Sequence, residues 1–294
     1  MSSTLKLLYK TVTSNFRLFC FTIAFLSLVH EVTAQLPVAK NGKFVTVKGL
    51  KIYYEESGQG MTLLILHNFF SSATAYQPLI TEFSKHYRII AIDLPNHGRS
   101  DYMDTADFYL HKKAAEYIIG VLDVLRIDSL YVIGASSGGT IALHLATLRP
   151  KSIRKMVVIG GHVYYPVEGR QWLSSYGPAT GILARLGGSE GLKMHGKTKL
   201  TLLEKQFWNF QILYGDPSFT PDILATIKAK TLIIHGDNDK AAPLTNAFEM
   251  HKSIPNAFLW IVPNGGHLPH FTPSNLPDFF RRTQEFMNGD WGEK

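Results

Sequence analysis

The sequence predicts an α/β protein whose mostly parallel central sheet is covered by helices on both faces. Three observations point there. Runs that are apolar without alternation recur at Thr62–Leu66, Arg88–Ile92 and residues 130–133, 156–159, 231–234 and 258–262; such runs suit strands buried on both faces. Helical patterns fill the intervals, at about residues 75–86, 107–126, 137–149, 243–252 and 275–288, and strands alternating with helices form crossover units. The chain is 45% hydrophobic and 18% charged, which excludes a disordered or fibrous protein. No long-period repeat or low-complexity tract interrupts it.

Residues 1–34 stand apart. Lys6, Lys10 and Arg17 precede an apolar run over residues 18–29, and Val32-Thr33-Ala34 supplies a small-x-small exit. This is the pattern of a secretory signal, and the run is short for a membrane span. The expectation is a signal peptide over 1–34 and an exported protein, periplasmic or secreted. An uncleaved segment would be its one tie to a membrane. Cys20 is the only cysteine and lies inside this segment, so cleavage would leave a chain without thiol or disulfide chemistry.

The net charge is +7, and the basic residues are scattered. The densest group, Lys193, Lys197, Lys199 and Lys205, reads as a solvated face, and nothing suggests a nucleic-acid footprint.

After this segment the chain reads as a hairpin, in which residues 44–47 and 52–55 flank Lys48-Gly49-Leu50. The alternating core is then expected over 35–160 and 222–294. Residues 161–221 break the rhythm: they lack a comparable strand, carry Tyr164, Tyr165, Trp172, Tyr176, Phe207, Trp208, Phe210 and Tyr214, and are broken at Gly177-Pro178, Gly187-Gly188 and Gly215-Asp216-Pro217. An aromatic, glycine-jointed insertion after a core strand reads as a helical lid over an apolar site.

Gly134-Ala135-Ser136-Ser137-Gly138 closes one apolar run and opens a helical one. G-x-S-x-G carries mechanical meaning only in that strand–turn–helix setting. There, small flanking residues permit a strained turn that exposes the central hydroxyl at a helix N-terminus. With this motif in place, the chain resembles the α/β-hydrolase fold family, serine-nucleophile members with a small lid. The resemblance runs from the hairpin to the last helix and rests on four motifs in the family's order.

It implies that Ser136 is the nucleophile. Its base would be His267, in Pro263-Asn264-Gly265-Gly266-His267, and its acid Asp239, in His235-Gly236-Asp237-Asn238-Asp239. Asp237 is the rival for the acid. The family's oxyanion hole maps to the backbone N–H groups of Phe69 and Ser137, with Asn68 standing where the family has glycine; asparagine tolerates left-handed backbone. Asp93-Leu94-Pro95-Asn96-His97-Gly98-Arg99-Ser100 matches a structural turn of the family, whose polar side chains are expected to satisfy loop backbone. His270 is expected to line the loop or pocket; His144 reads as helical, and His195 and His251 as solvent-facing.

The expected reaction is hydrolysis of a small or medium carboxylic ester through an acyl-enzyme, with a small-molecule substrate and without metal, nucleotide or flavin. Carbon–carbon, lactone, thioester or amide hydrolysis and cofactor-free peroxidation use the same residues, and a receptor-like binder with slow turnover is a further alternative.

Overall fold

The computed structural model describes residues 39–177, 188–289 and 291, so the expected signal segment lies outside the described residues. Eight strands form one sheet in the order β1-β2-β4-β3-β5-β6-β7-β8. They are β1 (Gly42–Val47), β2 (Leu50–Ser57), β3 (Thr62–Leu66), β4 (Arg88–Ile92), β5 (Leu130–Ala135), β6 (Ile153–Ile159), β7 (Lys230–Gly236) and β8 (Ala257–Val262). β1 and β2 pair antiparallel, as do β2 and β4; every other pairing is parallel. Lys48 and Gly49 close the hairpin, with φ of 48° and 86°. Two left-handed residues in a two-residue loop match the twist of the flanking strands.

The main helices are α1 (Gln77–Phe83), α2 (His111–Val124), α3 (Ser137–Leu148), α4 (Val167–Ser174), α5 (Gly188–Asn209), α6 (Pro221–Ala225), α7 (Thr245–Ser253) and α8 (Leu276–Asn288). Alternate residues of the parallel strands feed two cores. Leu64, Ile90, Val132, Met156 and Ile233 pack with Ala114, Ile118, Val121, Ile141 and Leu145 of α2 and α3 on one face. Leu63, Ile89, Ile133, Val157 and Leu232 pack with Leu79 and Phe83 of α1 and with Phe279 and Phe286 of α8 on the other. The unbroken apolar runs of the sequence are thus strands with two buried sides.

α4 and α5 fall between β6 and β7, where the insertion was expected. α5 is bent at Gly196, whose φ of 71° and ψ of 163° leave the helical region. Its docking on the loop between β4 and α2 is polar. His195 Nδ1 accepts from the Gly98 amide at 3.0 Å, and Lys199 Nζ donates to the carbonyls of Gly98 (2.9 Å) and Ser100 (2.7 Å). Gln206 donates to the carbonyls of Ala106 and Phe108, and Asn209 to that of Asp107. Two expectations are corrected here. His195 does not face solvent, and the lysine group is not wholly a solvated face, because both His195 and Lys199 are buried. Their sequence neighbours gave no sign of this, because the partners lie about a hundred residues away.

The Asp93 turn spends its polar atoms on structure. Asp93 accepts from the amides of Ala73 (2.8 Å) and Arg99 (2.9 Å) and from the Arg99 guanidinium (2.7 Å), which lies over the Tyr53 ring. Asn96 occupies the left-handed position at φ 71°. It also accepts from the Met103 amide and donates to Gln206, contacts a glycine could not make.

Several histidines are held neutral by burial. His67 and His195 are pushed down to about 4, and His162 and His270 to about 3. His270 does not line the cavity; it packs 4.1 Å from the Phe271 ring and 5.1 Å from Phe279 (centroid to centroid), with neither ring nitrogen hydrogen-bonded. Between about pH 3 and pH 6.5 the unfolded chain binds a proton at residue 270 that the folded chain refuses, so stability falls as pH falls through that window. His270→Phe is therefore expected to raise Tm at pH 5 by several degrees relative to the wild type, and by much less at pH 7.5. Thermal melts at the two pH values check this.

Candidate active site

Ser136, Asp239 and His267 follow β5, β7 and β8, at the carboxyl ends of parallel strands, where an open α/β sheet receives ligands. Ser136 sits at the junction of β5 and α3 with φ 53° and ψ −119°, a backbone state that costs of order 1–3 kcal/mol. Its amide donates to the Ile159 carbonyl at 2.7 Å, and its carbonyl accepts from the Thr140 amide at 2.9 Å. Two glycines make the turn possible. A Cβ on Gly134 would lie 2.3 Å from the Gly138 carbonyl oxygen, and one on Gly138 would lie 2.2 Å from that of Leu66.

The structure brings the three side chains into one line. His267 Nε2 lies 2.7 Å from Ser136 Oγ, and Nδ1 lies 2.8 Å from Asp239 Oδ2. With a carboxylate at Nδ1, the ring proton belongs there, and Nε2 is left to accept from the serine hydroxyl. Asp239 is buried, and its Oδ1 accepts from the amides of Ala241 and Ala242, each at 2.9 Å. Burial alone would raise its pKa, but His267, His235 and the Ala242 amide together hold the carboxyl below its ordinary value. Asp237 is exposed on the same loop, so the geometry separates the two rival acids. Ser136 is 7% exposed, enough to meet a ligand from the cavity beside it.

That cavity has a volume of about 330 Å³. Phe69, Phe70, Tyr165, Trp172, Phe207 and Phe210 supply its aromatic walls, and Asn68, Ser136, Ser137, His162 and His267 its polar lining. Phe69 and Ser137, the two expected amide donors, thus border the same space as the Ser136 hydroxyl. Asn68 behaves otherwise than expected: the left-handed residue of this turn is Phe70, at φ 61°. Asn68 instead braces the turn, donating to the Phe69 carbonyl at 2.8 Å and accepting from the Tyr76 hydroxyl at 3.0 Å. His67 donates to the Asn68 carbonyl through Nδ1 and accepts from the Leu94 amide through Nε2.

Two residues next to the acid loop escaped the sequence reading. His162 Nε2 donates to the Ala241 carbonyl at 3.0 Å, and His235 Nε2 to that of Ala242 at 2.6 Å while lying 3.4 Å from Asp239 Oδ2. The position of His235, one residue before the loop glycine, was the only available signal. Among the described residues no group of three or more His, Cys, Asp or Glu could hold a metal ion, and no helix is long and apolar enough to cross a membrane.

The model of the alpha/beta hydrolase family matches residues 63–278, and the chain belongs to that family. It is 27% identical to an uncharacterized hydrolase of Bacillus subtilis, YugF, across 80% of this chain and 96% of that protein. It is 28% identical to 2-hydroxymuconate semialdehyde hydrolase of Pseudomonas sp. (strain CF600), across 77% and 87%. Among solved structures, the meta-cleavage product hydrolase CumD of Pseudomonas fluorescens superposes with a TM-score of 0.66 at 24% identity, covering 84% of this chain and 97% of that one.

The glycine contacts generate a stability prediction. Gly138→Ala pushes a methyl group into backbone and is expected to lower Tm by 10 °C or more, on the order of 3 kcal/mol or above. Gly266→Ala, where a Cβ meets nothing within 4 Å, is expected to leave Tm within about 2 °C of the wild type. Calorimetry of both variants checks the pair.

Proposed function

We propose that this alpha/beta hydrolase cleaves small or medium uncharged carboxylic esters through an acyl-enzyme. The observation that carries the reading is the line of Ser136, His267 and Asp239 at the wall of an apolar cavity, with hydrogen-bond distances of 2.7 and 2.8 Å. Ser136 Oγ attacks the carbonyl carbon as its proton passes to His267 Nε2. The imidazolium so formed is stabilised and oriented by the Asp239 carboxylate. The amides of Phe69 and Ser137 hold the oxyanion, each such donor being worth about 3 kcal/mol in the transition state. Collapse breaks the bond to the alcohol, which leaves with the proton from His267. Water, deprotonated by His267, then attacks the acyl carbon and releases the acid and the free serine. The insertion between β6 and β7 acts as the lid, since Tyr165, Trp172, Phe207 and Phe210 close the cavity from that side.

Charge favours an ester. The described residues around the cavity include no lysine or arginine, and burying an unpaired carboxylate is costly. Carbon–carbon hydrolysis is the second reading, supported by likeness to the 2-hydroxymuconate semialdehyde hydrolase, whose substrate carries a carboxylate by name. We also propose that the enzyme works outside the cytoplasm, on the basic, apolar and small-x-small pattern of residues 1–34.

Fluorophosphonate labelling and p-nitrophenyl ester turnover are expected in the wild type and absent in Ser136→Ala. Asp239→Asn is expected to lower kcat by at least 10³-fold, following the precedent of the wrong tautomer, and Asp237→Asn by less than 3-fold. Equal slow hydrolysis by wild type and Ser136→Ala would sink the ester reading. Turnover of a 2-hydroxy-6-oxodienoate with no activity on esters would replace it with carbon–carbon cleavage. Export is checked by N-terminal sequencing of the protein recovered outside the cytoplasm, which is expected to begin at Gln35.

A further inference from the structure

Both adjacent serines of the turn are backed by a histidine and an aspartate, although only one of these sets belongs to the proposed reaction. Ser137 Oγ lies 3.1 Å from His111 Nε2. His111 Nδ1 lies 3.4 Å from Asp216 Oδ1, which is also 3.4 Å from His144 Nε2. The other carboxylate oxygen accepts from the Lys112 amide at 2.9 Å, so Asp216 sits at the N-terminus of α2, where backbone donors and the helix dipole favour a negative charge. Burial opposes ionisation of Asp216, yet the two histidines beside it keep its carboxyl well below the ordinary range. His111 is fully buried and its ring stacks on Phe210 of the cavity wall, 5.2 Å between centroids. Nδ1 makes no hydrogen bond and lies only at contact distance from the carboxylate; the attraction of that carboxylate favours the proton on Nδ1, which leaves Nε2 to accept from the Ser137 hydroxyl.

We propose that His111, oriented by Asp216, is a positioning residue for the oxyanion hole: it grips the Ser137 side chain and so fixes where the Ser137 amide points. The inference rests on the hydrolase reading above, in which that amide is one of the two oxyanion donors. Ser137 is the first residue of α3, and among the described residues its side chain makes no other hydrogen bond; the His111 contact therefore adds to the Thr140 amide, which holds the other end of the same peptide at the Ser136 carbonyl. A displacement of the order of 1 Å in a catalytic group can cost about 10²-fold in rate, so a modest loosening suffices to be measured. Asp216 comes from the insertion between β6 and β7, so the same contact couples the cover of the cavity to the alignment of the donor beneath it.

The test is the rate at which a fluorophosphonate labels Ser136, a reaction that needs the oxyanion hole but no natural substrate, read alongside Tm and KM for an apolar ester. His111→Phe keeps the stacking on Phe210 and removes the nitrogen; Ser137→Ala removes the hydroxyl and keeps the amide. Each is expected to slow labelling and kcat by about 10-fold with KM within 2-fold, and the double variant is expected to be no slower than either single one. His111→Gln, which retains a hydrogen-bonding group, is expected to recover most of the rate. Should His111→Phe fail to fold, Ser137→Ala and Asp216→Asn carry the same comparison. Wild-type labelling rates in His111→Phe, or losses that multiply in the double variant, would overturn the inference and leave the hydrolase reading standing. A wild type that is never labelled would remove both.

Discussion

The site depends on a backbone constraint at Ser136. A strand can deliver a side chain to its carboxyl end only if the chain turns sharply there, and the turn at φ 53° and ψ −119° does so against its own conformational preference. What holds it is the environment on each side. The amide is tied to β6 through Ile159, the carbonyl already serves the first turn of α3, and of the flanking glycines Gly134 lies against the backbone of α3 and Gly138 against that of β3. Strain of this size persists only where the surroundings over-determine the conformation, and here the six parallel strands supply that rigidity. Asp239 and His267 can then arrive on separate loops, after β7 and β8, because all three strand ends open on the same edge.

Around this turn the polar chemistry is confined. Asp93 and Arg99 are spent on each other and on two amides, His67 on two loop groups, and His162 and His235 on the carbonyls that shape the acid loop. Burial keeps these histidines neutral, so they act as fixed donors and acceptors and add no charge near the reacting atoms. Asp239, its carboxyl held below its ordinary value by His267 and His235 against the cost of burial, stays ionised beside the ring, and a low local dielectric strengthens its hold.

How much of this was legible in the sequence follows from the range of each signal. The central parallel strands were readable because both faces are buried, which leaves apolar runs whose polar residues, such as Thr62, Arg88 and Thr231, stand only at the start. Ser136, Asp239 and His267 were readable because each sits in a short local pattern with turn residues around it. At Asn68 residue type is a poor guide: asparagine tolerates left-handed backbone, yet in this turn Phe70 adopts it. His111 and Asp216 carried no local mark: Gly215-Asp216-Pro217 looks like any turn, and the contact between them spans 105 positions. Lys199 and His195 were invisible for the same reason, since an amphiphilic stretch of α5 does not announce which polar groups will meet a buried carbonyl.

The docking of α5 has an evolutionary corollary. Most of its polar contacts with residues 98–108 end on main-chain atoms of that loop: the Gly98 amide and the carbonyls of Gly98, Ser100, Ala106, Asp107 and Phe108. Main-chain atoms are the same whatever side chain they carry, so drift in the identities of residues 101–108 leaves the seat intact provided the path of the chain is kept. The burden of invariance falls on the helix, at positions 195, 199, 206 and 209, and on Asn96. Apart from Met103, which is buried in the core, descendants of this protein can thus vary the outer loop's side chains while inheriting the same seat for α5.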